Sequence, residues 1–342
     1  MIYCVVLLSL IYKLNGGQAF VPLRSQVIAL ACPLDGLQAK GNPYGGYDMS
    51  DVKKQHYVPR FYLKSFTNQD GFLYAVKHEP DGLGNIFKIK PEGICFERYL
   101  HEVKRRAPIH GERFIEQGSA EKALSKMEND LANSYRLLIR QLDAGGFSDT
   151  DETCELLERL ILLISLLLVR TPKYLKRVRS NAAAYAAELE AGGFLTEDDR
   201  KEMDAEGFGG EFESIVELAI QDVALFKFCE GVPFYSLVSS MLKMDCNFFV
   251  APEGSEFIAS SFPVFPEWVD IQDSDPHSIY LPLSPRYGVA FKQKSEDDRL
   301  VSISCIDGAA VNAINHAFMH SNDSWDFLIA RDRECLELLV SE

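Results

Sequence analysis

The residues best suited to chemistry crowd into one short run, Lys53-Lys54-Gln55-His56-Tyr57-Val58-Pro59-Arg60. Within it, His56 is the group whose charge can change near neutral pH, which suits either proton transfer or pH-sensitive anion binding. Arg60 can grip a phosphate or carboxylate through two N–H groups at once. Pro59 is tolerated at the first position of a helix, where no amide partner is needed, so a short helix over Arg60–Phe66 would begin beside His56. Its unpaired N–H groups and the positive end of its dipole would favour the same anion. The local charge agrees: between Lys53 and Arg106 there are eleven Lys/Arg against six Asp/Glu, a net of +5 in a chain whose formal total is −15. Capping or core packing of His56 and Tyr57 accounts for the same residue types without any ligand.

Other constellations are weaker. His101, His110, Glu112 and Glu116 lie close together in sequence, but their spacing matches no known metal cage, so no metal is assigned. His316 and His320 would share a helix face at i and i+4; Ala317-Phe318-Met319 between them lacks the glutamate of a zinc-protease helix, and a surface pair is the expected reading. A Gly-x-Ser-x-Gly elbow, a Walker phosphate loop and a Gly-x-Gly-x-x-Gly fingerprint are all missing, which removes the common α/β-hydrolases, ATPases and dehydrogenases. No cofactor can be named from the sequence. The eight cysteines show no Cys-x-x-Cys and read as small buried hydrophobes of a reduced compartment.

Several elements must position these residues. At 342 residues, with 47% hydrophobic and 25% charged residues, the chain has the composition of a globular protein. Its acidity argues against whole-surface adsorption to nucleic acid or anionic lipid. Residues 1–48 are expected to lie outside the fold, as an N-terminal extension or a leader. Ile2–Tyr12 is apolar but has no basic residue before it, and Asn42-Pro43-Tyr44-Gly45-Gly46 follows before a polar start at Met49. A cytoplasmic protein is expected, or a secreted one if residues 1–19 are a signal peptide. Residues 49–342 then form a single domain, and removing 1–48 should leave the melting temperature nearly unchanged.

Along that domain, Phe72–Lys77 and Ile86–Ile89 flank the turn signal Pro80-Asp81-Gly82, which predicts a hairpin. Leu124, Met127, Leu131, Tyr135, Leu138 and Leu142 recur at three and four residues, the stripe of a long amphipathic helix. Leu156–Val169 is apolar almost all round and reads as a core helix ended at Arg170-Thr171-Pro172. Helical composition resumes over 181–191 and 211–228. After Cys246 come short β-prone runs, then a helix from Gly308 and a last segment ending near Val340. The expected class is α+β, with a helix-rich middle packed against a mainly antiparallel sheet from the C-terminal third.

The run Lys54-Gln55-His56-Tyr57-Val58-Pro59-Arg60-Phe61-Tyr62-Leu63 resembles the HYVP-motif family, domain of unknown function 4238. The likeness extends through Tyr99, Glu116, Glu128, Arg170-Thr171-Pro172, Phe257–Val264, Leu281-Pro282-Leu283-Ser284-Pro285 and Val311-Asn312-Ala313-Ile314-Asn315. It implies candidate positions without supplying a reaction: His56 and Glu116 as catalytic groups, and Tyr57, Arg60, Tyr99 and Arg170 as binding groups. The family's Ser-Asp-Asn-Pro reads Ser260-Ser261-Phe262-Pro263 here, which removes a carboxylate. Two functions stay open. One is a hydrolase acting on a phosphate-bearing substrate, nucleic acid among them; the other is a non-catalytic binding or regulatory module. Convergence discriminates them, because an enzyme needs His56, Arg60 and a carboxylate in one pocket. An anionic ligand is the expected partner, no membrane is expected, and oligomeric state is not legible.

Overall fold

Leu124, Leu131, Tyr135, Leu138 and Leu142 are buried along one stripe of a 25-residue helix, as their spacing requires. The computed structural model describes residues 54–104, 114–115, 118–147, 150–180, 182–193, 197–205, 212–217, 241–264, 278–293, 301–320 and 325–341. The N-terminal 48 residues, His110, Glu112, Glu116 and most of the helix expected over 211–228 lie outside them.

The chain is α+β. It opens with β1 (Lys54–His56) and α1 (Arg60–Leu63), which runs into a 3-10 turn over Lys64–Phe66. Pro59 caps α1 in an extended conformation, one position earlier than expected. The strands β2 (Leu73–Glu79), β3 (Gly82–Leu83), β4 (Phe87–Ile89), β5 (Phe96–Arg98), β6 (Val103–Lys104) and β7 (Phe114–Ile115) follow. Then come α2 (Ser119–Asp143), α3 (Thr150–Val169), α4 (Pro172–Ser180), α5 (Ala182–Ala191) and α6 (Glu197–Ala205). The last third holds β8 (Asp245–Val250), β9 (Ala259–Ser260), β10 (Ser278–Pro282), β11 (Tyr287–Lys292), β12 (Val301–Cys305), α7 (Gly308–His320), β13 (Phe327–Ala330) and α8 (Arg333–Ser341). Among the described residues no helix is long and apolar enough to cross a membrane.

Contacts divide the chain into two units interleaved in sequence. The larger takes the described residues of 55–100, 123–174 and from 241 on, and holds two extended sheets beside the two-stranded β1-β5 pair. One runs β10-β11-β8-β12, with β12 parallel to β8 and the other pairs antiparallel. The other runs β3-β2-β13-β9 with β4 also on β2, all antiparallel. The expected C-terminal sheet is therefore two sheets, and the early hairpin is built into the second by pairing β2 with β13. Helix α2 packs on the first: the Tyr135 hydroxyl donates to the Leu283 carbonyl, and the Tyr287 hydroxyl to Asp143 Oδ1 at 2.7 Å. Helix α3 is buried almost all round, from Leu156 to Val169, and stops where Pro172 cannot continue the hydrogen-bond ladder.

Asn315 explains part of the sequence around it. Its buried side chain accepts from the Ile258 N–H at 3.1 Å and donates to the Glu256 carbonyl at 2.8 Å, tying α7 to the segment leading into β9. Asn315→Ala is expected to cost about 2 kcal/mol in urea unfolding, because both backbone groups lose their partner.

The smaller unit takes the described residues within 101–122 and 175–217. There Glu102, 4% exposed, accepts the Gly118 N–H just ahead of α2. Buried His101 approaches Glu121 with Nδ1 3.6 Å from Oε2, and Arg179 reaches Glu217 at 3.2 Å.

Candidate functional site

The His56 carbonyl, the Tyr57 hydroxyl and the Arg60 guanidinium each have a partner far away in sequence. The His56 ring stands 5.6 Å from Phe96, and the His56 carbonyl accepts from Arg170 Nη2. Arg170 is fully buried, and its Nη1 meets Glu128 Oε1 at 2.5 Å. One planar guanidinium thus forks between a carboxylate on α2 and the backbone of β1, so Glu128 is linked through Arg170 to the His56 carbonyl. Tyr57 is buried, with its N–H on the Cys95 carbonyl at 3.0 Å and its hydroxyl donating to Asp326 Oδ2 at 3.3 Å. Burial first, then the charges around Cys95 and Asp326, pushes the Tyr57 phenol far up, so it stays a neutral donor.

The Ser261 hydroxyl accepts the N–H groups of Asp326 and Phe327 at 2.7 and 3.1 Å. Where the family pattern has a carboxylate, this chain has a smaller acceptor that ties the same turn into the start of β13. Cys95 and Tyr99, at the two ends of β5, both adopt positive φ, 56° and 59°. Left-handed backbone is uncommon for such side chains and marks a local turn that the surrounding structure must enforce.

Arg60 lies on the surface and pairs with Glu92 at 2.7 Å. Its guanidinium holds the Glu92 carboxyl below its ordinary range. A depressed carboxylate stabilises the fold above its unfolded pKa and loses that contribution as pH falls through the folded value. Both groups are well exposed, so Arg60→Ala should cost less than about 1 kcal/mol while moving the Glu92 titration upward, as an NMR pH series would record. With only four residues in α1, few peptide dipoles align, so an anion here would rest on side-chain cations more than on the helix end.

Those cations are clustered. Exposed Lys88 and Lys90 place their ammonium groups 4.6 and 5.4 Å from the Phe72 ring centroid. Lys90 precedes the turn that carries Glu92, on which Arg60 and Lys64 both act. Asp70, 3.6 Å from Lys88, is the other carboxylate of the group. Four cations against two carboxylates leave a basic face on an acidic chain.

Of the residues expected at the site, Arg170 reaches the His56 carbonyl, Tyr57 turns to Asp326, Arg60 pairs with Glu92 at the surface, and Tyr99 follows β5. Glu116 lies outside the described residues. Sequence reasoning missed Glu92 and Asp326, and it missed Phe72 as the ring between two lysines. The 269 residues between Tyr57 and Asp326 leave no sequence signal for that pair. Among the described residues no group of three or more His, Cys, Asp or Glu is placed to hold a metal ion. Two of the five described cysteines, Cys154 and Cys305, are exposed, against the expectation of burial.

The buried Cys95 thiol, pushed above its ordinary value of 9.0 by burial, and the buried phenols together set the alkaline limit. Burial raises Tyr57, Tyr62, Tyr135 and Tyr280 above the ordinary value of 10.0. The unfolded chain therefore ionises before the folded one, so the phenols' contribution is complete below pH 10 and declines above it, while that of Cys95 declines from about pH 9. Urea midpoints should hold to about pH 9 and fall clearly by about pH 11.

Fold and site together define an α+β protein whose N-terminal motif is locked by partners from its middle and its C-terminal end. The sequence profile of the family described as a protein of unknown function, DUF4238, matches residues 54–334, and the chain belongs to that family. No match is found among curated proteins or among solved structures.

Proposed function

We propose that this protein binds a phosphate-bearing anion on the face formed by Arg60, Lys64, Lys88 and Lys90. The observation that carries this reading is the gathering of four cations around Phe72 and Glu92 on a chain of net charge −15. A polyanion is drawn to such a face because phosphate contacts release counterions and a local positive field overcomes distant repulsion. Nucleic acid is the polyanion class proposed for this face, and the non-catalytic module is the form of the protein this reading describes. In a fluorescence panel of labelled oligonucleotides and phosphate monoesters, the wild type should bind, with affinity falling as salt rises. Lys88→Ala and Lys90→Ala should each weaken binding and reduce the salt slope by about one. Absence of binding to every member of the panel at low salt would defeat the proposal.

Hydrolysis of that ligand is the second reading, favoured by Glu128, a carboxylate that Arg170 links to the His56 backbone carbonyl. A histidine and a neighbouring carboxylate are the pair that acid–base catalysis requires. Product release from the bound ligand that disappears in His56→Ala with binding retained would support it; binding without turnover would leave the module reading.

A further inference from the structure

Phe72 stands where the turn Asn68-Gln69-Asp70-Gly71 hands the chain to β2. Asn68 closes that turn. Its N–H donates to the Phe72 carbonyl at 2.6 Å, and its side-chain oxygen accepts the Asp70 and Phe72 N–H groups, each at 3.1 Å. Gly71 permits the reversal with a φ of 77°, in the left-handed region. The backbone of Phe72 is thus fixed by Asn68, while its ring is half-buried at the surface.

Strand β4 brings two cations to that ring. Lys88 lies opposite Tyr74 in the antiparallel β2–β4 pair, and Lys90 comes two residues later, so both belong to the face that carries Phe72 and Tyr74. Their ammonium groups lie over the ring at 4.6 and 5.4 Å from its centroid, at the ends of exposed side chains. Lys88 is also shared with exposed Asp70, at 3.6 Å. An exposed cation–π contact is worth about two- to fivefold in an equilibrium constant, whereas a nucleobase stacked on an aromatic ring is worth about five- to 150-fold. A base can therefore displace an ammonium group from Phe72, and the strand that carries the base supplies phosphates to receive it. A duplex offers the same phosphates but keeps its bases stacked on one another, so no base face meets the ring without the cost of unstacking.

We propose that the basic face binds single-stranded nucleic acid, with one base stacked on Phe72 and the neighbouring phosphates taken by Lys88 and Lys90. This rests on the anion-binding reading of the same face and adds the class of strand it accepts. The lysines supply affinity for any polyanion, and Phe72 supplies the preference for an unpaired base.

The test uses the full-length protein with three labelled probes of about 12 nucleotides: oligothymidylate, its duplex with oligoadenylate, and an abasic strand with the same phosphates. Oligothymidylate should bind about tenfold more tightly than the abasic strand, and more tightly than the duplex. Phe72→Leu should remove about that tenfold for oligothymidylate while leaving abasic binding and the salt slope unchanged, and Phe72→Trp should keep the preference. Lys88→Ala should weaken binding of all three probes. Thermal melts check that each variant folds, and the comparison of probes on the wild type needs no variant. Equal binding of oligothymidylate and the abasic strand, or equal or tighter binding of the duplex, would overturn the proposal and leave the face as a site for phosphate alone. Binding of none of the probes at low salt would overturn the anion-binding reading as well.

Discussion

Arg170→Ala is expected to lower the unfolding free energy by about 3–5 kcal/mol, since removing one member of a buried pair strands the other. Arg170 is fully buried, and its two partners are Glu128 and the His56 carbonyl. The Glu128 side chain is 21% exposed, so water recovers part of its loss and the effect should fall toward the lower end of that range. Arg170→Lys should not rescue it, because a single ammonium cannot reproduce the planar fork. Glu128→Gln keeps an acceptor and should cost about 1–2 kcal/mol. Urea unfolding of the three variants measures these differences. A loss below about 1 kcal/mol for Arg170→Ala would show that the fork contributes little and that His56 is positioned by packing alone.

Tyr62→Ala should cost about 3–5 kcal/mol, the range for emptying a buried aromatic site. Tyr62 is fully buried; its ring lies 5.4 Å from Phe66 and 6.2 Å from Tyr135, and its hydroxyl donates to the Pro282 carbonyl at 2.6 Å. The side chain thus fastens α1 to the end of β10, close to where Tyr135 meets the Leu283 carbonyl. Tyr62→Phe separates the two contributions: the ring stays and the carbonyl loses its donor, at about 1–2 kcal/mol. Equal losses in the two variants would mean that the hydrogen bond, and not the ring, holds the motif in place.

These two predictions bear on the motif's meaning. Within His56-Tyr57-Val58-Pro59-Arg60-Phe61-Tyr62-Leu63, the buried members are Tyr57, Val58, Pro59, Tyr62 and Leu63, while His56 and Phe61 are half-buried and Arg60 is exposed. Most of the motif therefore works as packing, and Arg60 can be varied for binding studies at small cost to stability.

Periodicity made the helices legible, because a stripe such as Leu124–Leu142 can be buried on one side only if the chain is helical, and Pro172 has to end the helix before it. Composition likewise marked the basic stretch and the short strands, both of which depend on near neighbours in sequence. Which strands share a sheet did not follow: β2 meets β13 across some 250 residues, and β12 lies parallel to β8 while its neighbours alternate. The partners of the motif were hidden for the same reason. Arg170 reaches His56 over 114 residues and Tyr57 reaches Asp326 over 269, so each pair exists only once the helices and sheets have packed. Local spacing specifies elements because backbone geometry repeats every few residues, whereas the joining of distant side chains is set by how buried surfaces fit, and only the folded chain contains that information.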